Sequence, residues 1–94
     1  MAKGYVIITE HINDPAGMAD YGKLAMKAMA GATVLSVDTK PTVIEGDWHG
    51  HQTVVLEFES VDAAKDWYYS DAYQEAVKVR QGAADCNGVI VSGF

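Results

Sequence analysis

Three short stretches of the chain are apolar at consecutive positions: residues 6–8, 54–56 and 89–91. They are rich in β-branched side chains and are flanked by turn-forming residues, a combination that predicts β-strands. A further strand is predicted over residues 32–37, directly after Gly31. We therefore expect four strands, which cover residues 5–11, 32–37, 52–58 and 88–92.

Two other stretches have the three- and four-residue spacing of apolar positions that predicts a helix with one buried face. The first begins with the Asp-Pro pair at residues 14–15, a natural N-cap followed by a proline at the first helical position, and ends before Gly31. The second begins after Ser60. Because Ser70 is another N-cap candidate, we expect this helix to break there and a shorter helix to run over residues 71–81.

The predicted order of elements is β-α-β-β-α-β, which is the ferredoxin-like split βαβ motif of an α+β domain. Right-handed crossovers then arrange an antiparallel sheet in the order 4-1-3-2 with both helices on one face. Residues 43–45 are expected to be extended and residues 46–50 to form a turn, so that strands two and three make a long hairpin. One such domain accounts for residues 1–94.

The unbroken apolar runs also predict that both faces of the sheet are covered. A strand with one face in water alternates apolar and polar residues, whereas an unbroken apolar run indicates that both faces are covered. Two helices cover only one face of a four-stranded sheet. We therefore expect the other face to be covered by a second copy of the chain, in a homodimer packed sheet to sheet. The alternative is a monomer that tolerates short apolar runs near its edges.

The charge pattern narrows the class of partner. The chain has a formal net charge of −6, and its seven basic residues are scattered, which argues against nucleic acid as a partner. No apolar run reaches the roughly 18 residues that span a bilayer, so no membrane association is expected. The single cysteine, Cys86, and the lack of a signal-peptide pattern favour the cytoplasm.

The predicted topology brings all three histidines to one end of the sheet. His11, Asp47, His49 and His51 gather there with Trp48, and Trp67 and Tyr73 are expected close by. Alternate residues of a strand point the same way, so His49 and His51, completed by His11 or Asp47, are candidate metal ligands. Because a His-x-His pair is a weak motif, exposed loop histidines are the preferred interpretation, and no cofactor is expected.

An organic-ligand pocket is the second hypothesis. Large flat surfaces for such a pocket come from Tyr5, Tyr21, Trp48, Trp67 and Tyr73, with Asp47, His49, Glu57 and Arg80 as polar partners. Core packing is the alternative role for the helical aromatic residues. Glu57 stands in an otherwise apolar strand, so it is a candidate general base, as is His49. The alternative for Glu57 is a structural ion pair with Arg80.

The motifs of this sequence resemble a known family. The segment Glu45-Gly46-Asp47-Trp48, the strand end Leu56-Glu57-Phe58 and the helical residues around Trp67 and Tyr73 are similar, in order and spacing, to the family called domain of unknown function 1330. Members commonly have Ser-Pro-Glu-Tyr where this chain has Ser70-Asp71-Ala72-Tyr73, so any role of that glutamate does not carry over.

The resemblance implies a dimeric α/β-barrel protein. That group includes cofactor-free monooxygenases, lactone isomerases and haem enzymes, so the fold does not fix a reaction. We expect a pocket between sheet and helices that binds a small hydrophobic or aromatic molecule, with cofactor-independent acid–base, oxygenase or isomerase chemistry. The alternatives are a non-catalytic module that binds a metabolite and a module that only dimerises.

Overall fold

A computed structural model describes residues 2–94. Its strands are β1 (Gly4–Ile12), β2 (Thr33–Asp38), β3 (Gln52–Phe58) and β4 (Ala84–Ser92). Its helices are α1 (Pro15–Lys27), α2 (Val61–Tyr68) and α3 (Asp71–Ala83). In this part of the chain, no helix has the length and apolar character needed to cross a membrane.

The four strands form one antiparallel sheet in the order β2-β3-β1-β4, which confirms the predicted arrangement. The central strand β1 pairs Ile7 with Val55 of β3 and with Val89 of β4. The strands of this chain therefore form an open four-stranded sheet. It does not close into a barrel within the described residues.

The helices cover one face of this sheet, called here the covered face. Val6 and Ile8 of β1 and Leu56 and Phe58 of β3 point into it and form the buried core together with residues of α2 and α3. Helix α1 packs mainly against α3. The opposite side, called here the open face, presents the alternate residues of the same strands, with Ile7 and Val55 at its centre.

The predicted break between the second and third helices is confirmed at Ser70. Its hydroxyl oxygen accepts a hydrogen bond from the backbone N–H of Tyr73 at 3.3 Å and donates to the Trp67 carbonyl at 2.7 Å. Ser60 caps α2 in the same way, accepting from the N–H of Ala63 at 3.0 Å. The two N-caps satisfy backbone donors that would otherwise be left unpaired at the helix starts.

Three element boundaries differ from the sequence prediction. β2 ends at Asp38, whose carboxylate accepts from the Lys40 N–H at 2.8 Å, so residues 39–51 form a loop instead of extending the hairpin. β4 starts directly after α3, because it pairs along the full length of β1. Helix α1 ends at Lys27, and Gly31, with a φ of 85°, lies in the following turn.

Candidate ligand cavity between the sheet and the helices

A row of polar side chains crosses the covered face of the sheet. Glu10 of β1 stands between its register partners Gln52 on β3 and Cys86 on β4. Glu10 is only 2% exposed, and its Oε1 accepts a hydrogen bond from Gln52 Nε2 at 2.7 Å. Because the neighbouring row, Val54 and Ile8, is apolar, this row is a polar band at one end of the hydrophobic core.

Arg80 approaches this band from α3. The side chain is 4% exposed, and its Nη1 donates to the hydroxyl of Tyr73 at 3.1 Å. The Tyr73 hydroxyl in turn lies 2.6 Å from that of Tyr21 on α1, and the Arg80 Cζ stands 5.6 Å from the centre of the Tyr21 ring. Arg80 Nε is buried without a hydrogen-bond partner among the described residues. The guanidinium is thus held by phenols and not by a carboxylate.

The surroundings change how these groups ionise. Burial is the main cause that raises the pKa of the Tyr73 phenol well above its ordinary value. Burial also raises the pKa of the Cys86 thiol, with Arg80 acting in the opposite direction. For Arg80, burial lowers the pKa, but its neighbours, led by Tyr73, outweigh it and the net pKa is raised. At neutral pH we therefore expect a charged Arg80 beside a neutral phenol and a neutral thiol.

Arg80 and Cys86 line a cavity of about 390 Å³ between the sheet and the helices α2 and α3, called here the Arg80 cavity. Its floor is apolar and comes from Val6, Ile8 and Ile90 of β1 and β4. Lys65, Tyr68 and Tyr69 of α2 and the turn after it also line it. A cavity with apolar walls, aromatic rings and a few polar groups has the character of a small-molecule site.

A second cavity, of about 500 Å³, lies between α1 and strands β2 and β3 and is called here the α1 cleft. Its walls are mostly aliphatic and include Met18 and Met29, while Glu10, Tyr21 and Gln52 are its polar members. Ile8 lines both cavities. Arg80 and Cys86 line the first cavity and Glu10 and Tyr21 line the second, so the two cavities flank the same group of polar side chains.

Several predicted site residues lie instead on the open face. The Tyr5 hydroxyl donates to Glu57 Oε2 at 3.1 Å, and this contact is the main cause that raises the pKa of Tyr5. Trp48 Nε1 donates to the Thr53 hydroxyl at 2.9 Å. Trp48 also lines a shallow cavity of about 310 Å³ together with Asp47 and His49.

The predicted grouping of Trp48 with Trp67 and Tyr73 is wrong. Trp67 and Tyr73 stack on each other in the core with ring centroids 3.9 Å apart, and Trp67 also packs on Phe58 at 4.9 Å. Phe58 ends β3, whereas Trp48 bonds to Thr53 near its start and on the other face. The α2 helix begins at the end of the sheet away from the histidines, which is why the two tryptophans are separated.

The Glu57–Arg80 ion pair, the alternative role considered for Glu57, is not formed, because the two side chains lie on opposite faces of the sheet. Strand alternation decides this: Glu57 points away from its helix-facing neighbours Leu56 and Phe58. Among the described residues, the one contact within 4.0 Å between a basic and an acidic side chain is that of His49 Nε2 with Asp85 Oδ2, at 3.6 Å, which is an ion pair only when His49 is protonated.

The three histidines do lie at one end of the sheet but do not converge. The rings of His11 and His51 meet edge to face with centroids 5.3 Å apart, while His49 Nδ1 lies 2.7 Å from the Thr9 hydroxyl. Within residues 2–94, no group of three or more His, Cys, Asp or Glu side chains is placed to hold a metal ion.

Sequence reasoning missed Glu10, Cys86 and Lys65 as site residues. A signal for Glu10 was available, because alternation from Val6 and Ile8 directs it to the covered face. Cys86 could have been placed only with the true start of β4, which the sequence put four residues too late.

The comparison with known families decides the relationship. The model of the family described as domain of unknown function (DUF1330) matches residues 3–94. This chain belongs to the DUF1330 family. No curated protein matches the DUF1330 chain.

Several solved structures share the fold of this chain at low sequence identity. One is a protein of unknown function from Rhodopseudomonas palustris, 21% identical, with a TM-score of 0.73 over 99% of this chain and 83% of that one. Another, from Thermobifida fusca, is described as a dimeric ferredoxin-like protein of unknown function (13% identity, TM-score 0.67, 97% and 91% covered). A third is SnoaB from Streptomyces nogalater, a cofactor-independent oxygenase (7% identity, TM-score 0.69, 100% and 95% covered). At these identities the likeness establishes the ferredoxin-like fold alone.

Proposed function

We propose that this DUF1330 protein is a homodimer in which each subunit binds a small hydrophobic or aromatic molecule in the Arg80 cavity. The observation that carries the proposal is the cavity itself. Its volume, about 390 Å³, falls in the range of roughly 300–1,000 Å³ typical of ligand pockets, and its floor is made of core side chains. Tyr68 and Tyr69 supply flat surfaces against which an aromatic ring can pack.

The homodimer part of the proposal rests on the open face. Val89 and Val91 of β4 are 53% and 39% exposed, and they lie beside the partly buried Ile7 and Val55. A second sheet would remove this apolar surface from water and leave the polar pairs, such as Tyr5 with Glu57, at its rim. The description of the Thermobifida fusca protein as dimeric is consistent with a dimer. Cys86, an unpaired thiol, suits a reducing compartment such as the cytoplasm.

Cofactor-independent chemistry on the bound molecule is the second candidate function. The observation that favours it is Cys86, whose thiol is partly buried beside Arg80 and can hold a proton inside the cavity. Glu57 and His49, the acid–base groups expected from the sequence, do not line this cavity. They would serve only a molecule on the open face. The description of SnoaB as a cofactor-independent oxygenase is consistent with cofactor-independent chemistry on this fold.

A cavity-filling substitution tests the binding function. A Cβ added at Gly88 would meet Ile8 Cγ1 at 3.8 Å, ordinary contact, and valine is favoured in strands, so Gly88→Val should fold and narrow the Arg80 cavity. Native mass spectrometry of protein purified from its source should find added mass on the wild type and none on Gly88→Val. A matched control is Gly22→Val, which instead narrows the α1 cleft.

Equal ligand loading of the wild type and Gly88→Val, with loss in Gly22→Val, would move the site to the α1 cleft. To separate binding from chemistry, Cys86→Ala can be compared with the wild type on any molecule found. Loss of turnover with binding retained would favour the catalytic candidate.

A further inference from the structure

We infer that the molecule bound in the Arg80 cavity is an organic anion whose carboxylate pairs with Arg80. This inference rests on the proposed function, since it names the chemical class of the ligand for the same cavity. It starts from a charge in the core that the described residues do not neutralise by contact.

Arg80 is buried to 96% on a helix that packs over the sheet, yet no carboxylate lies within 4.0 Å of its guanidinium among the described residues. Burying a charge costs several kcal/mol, so buried arginines are normally paired. The closest partner, Tyr73, offers a phenol oxygen at 3.1 Å, which is a hydrogen-bond acceptor without charge. The positive charge at the end of the cavity is therefore left for a ligand to balance.

The hydrogen-bonding pattern of the Arg80 guanidinium also favours a carboxylate ligand. The bond to Tyr73 uses Nη1 and leaves the other guanidinium donors without a protein partner among the described residues, and a guanidinium with unused donors binds a carboxylate through charge-assisted hydrogen bonds. Nε has no partner in the described structure. An unsatisfied buried donor destabilises the protein without a ligand, and a charge-assisted bond from the guanidinium to a carboxylate would offset that cost.

Among the described residues, no other group near Arg80 places a negative charge in contact with its guanidinium. Tyr73 and Cys86 both have raised pKa values and are neutral at pH 7. Glu10 is the nearby carboxylate of the polar band, but it accepts its hydrogen bond from Gln52 and does not contact Arg80 within 4.0 Å. Lys65 adds a second cation to the lining of the same cavity. The protein as a whole has a net charge of −6, but these two cations make the cavity locally favourable for an anion.

The test compares two probe ligands of nearly equal shape, the anion 2-naphthoate and its neutral analogue 2-naphthamide. Each is titrated into the protein at pH 7.5 and its binding is measured by calorimetry or protein NMR, so that the effect of the charge is separated from that of the apolar rings. We expect the wild type to bind naphthoate at least about tenfold more tightly than naphthamide, as one charge-assisted pair provides. Arg80→Met, which keeps an unbranched apolar stem but removes the charged guanidinium, should bring naphthoate down to the naphthamide affinity and leave naphthamide unchanged. Gly88→Val should weaken both.

The outcomes are distinguishable. If both probes bind equally to the wild type and both are lost in Gly88→Val, the cavity binds small molecules but the anion assignment is overturned. If neither probe binds and Gly88→Val behaves as the wild type, the proposed function falls together with the inference. Should Arg80→Met fail to fold, Arg80→Lys keeps the charge without the fork. Part of the preference for naphthoate should then survive, and its complete persistence in an Arg80→Gln variant would overturn the pairing.

Discussion

The two faces of the sheet are built from alternate residues of the same strands, yet they carry polar groups in opposite ways. On the covered face, Glu10 and Arg80 are almost completely buried and lie beneath or within the helix layer. On the open face, the polar groups pair with one another around an apolar centre, as Tyr5 does with Glu57. A surface that joins another protein keeps its polar groups at the rim, whereas a ligand cavity brings them inside. This difference is the basis for proposing a separate role for each face.

The two glutamates of the central strands illustrate the point. Glu57 attracted attention in the sequence because it interrupts an apolar run, but it points to the open face and accepts a bond from Tyr5. Glu10 lies at the end of its strand and draws no attention in the sequence, yet it is the one that is buried. A charged residue inside an apolar run is therefore a weaker indicator of a site than the face to which its position in the strand directs it.

The largest expected effect is on the free energy of unfolding, when the tryptophan on the covered side of the sheet is replaced and compared with the one on the open face. Trp67 is 7% exposed, stacks on Tyr73 and donates through Nε1 to the Ala28 carbonyl at 2.7 Å. Trp67→Ala should lower the free energy of unfolding by about 3–5 kcal/mol. Trp48→Ala, at a position 50% exposed, should cost about 1 kcal/mol through the lost bond to Thr53. Urea denaturation measures both, and similar losses would contradict the division between the faces.

The fold could be read from the sequence because its signals are local. Apolar runs, the caps at Ser60 and Ser70 and the short connections fix the elements, and handedness then fixes the order of the strands. The loop over residues 39–51 was misjudged because its isolated apolar pair, Val43 and Ile44, resembles a strand but is exposed.

The candidate site was harder to predict because it depends on contacts between distant elements. Arg80, Tyr73 and Tyr21 meet only once α1 has packed on α3, and no short motif encodes that contact. The sequence did identify all three as candidates. It paired Arg80 with the wrong partner, since which face a strand residue takes depends on the register of its strand.

A smaller but direct effect is expected from a charge on the open face. Val89→Glu places a carboxylate at a position 53% exposed in the subunit, so the fold should persist while the sheet-to-sheet contact is lost. We expect a dimer dissociation constant at least about 100-fold higher, which is roughly 3 kcal/mol. Sedimentation equilibrium should then find the 10.1 kDa monomer at micromolar concentration.

The control for this experiment is Met26→Glu, which adds the same charge on α1 at a position 80% exposed. It should leave the association unchanged. A monomeric wild type, or equal dissociation in both variants, would remove the proposed role of the open face and leave the covered face untouched.

The smallest expected effect concerns the buried phenol of the covered face. Because the pKa of Tyr73 is raised in the folded protein, the unfolded chain loses its proton first, above about pH 10. The stabilisation by the neutral phenol is thus complete below pH 10 and declines as the pH rises towards the folded pKa, by up to about 1.4 kcal/mol per pH unit. Tyr73→Phe should lose about 1 kcal/mol at pH 7 with its hydrogen bonds, yet show a shallower decline between pH 10 and 11. Tyr69→Phe, at an exposed position, should keep the wild-type slope, and an unchanged slope in Tyr73→Phe would show that burial does not keep the Tyr73 phenol neutral.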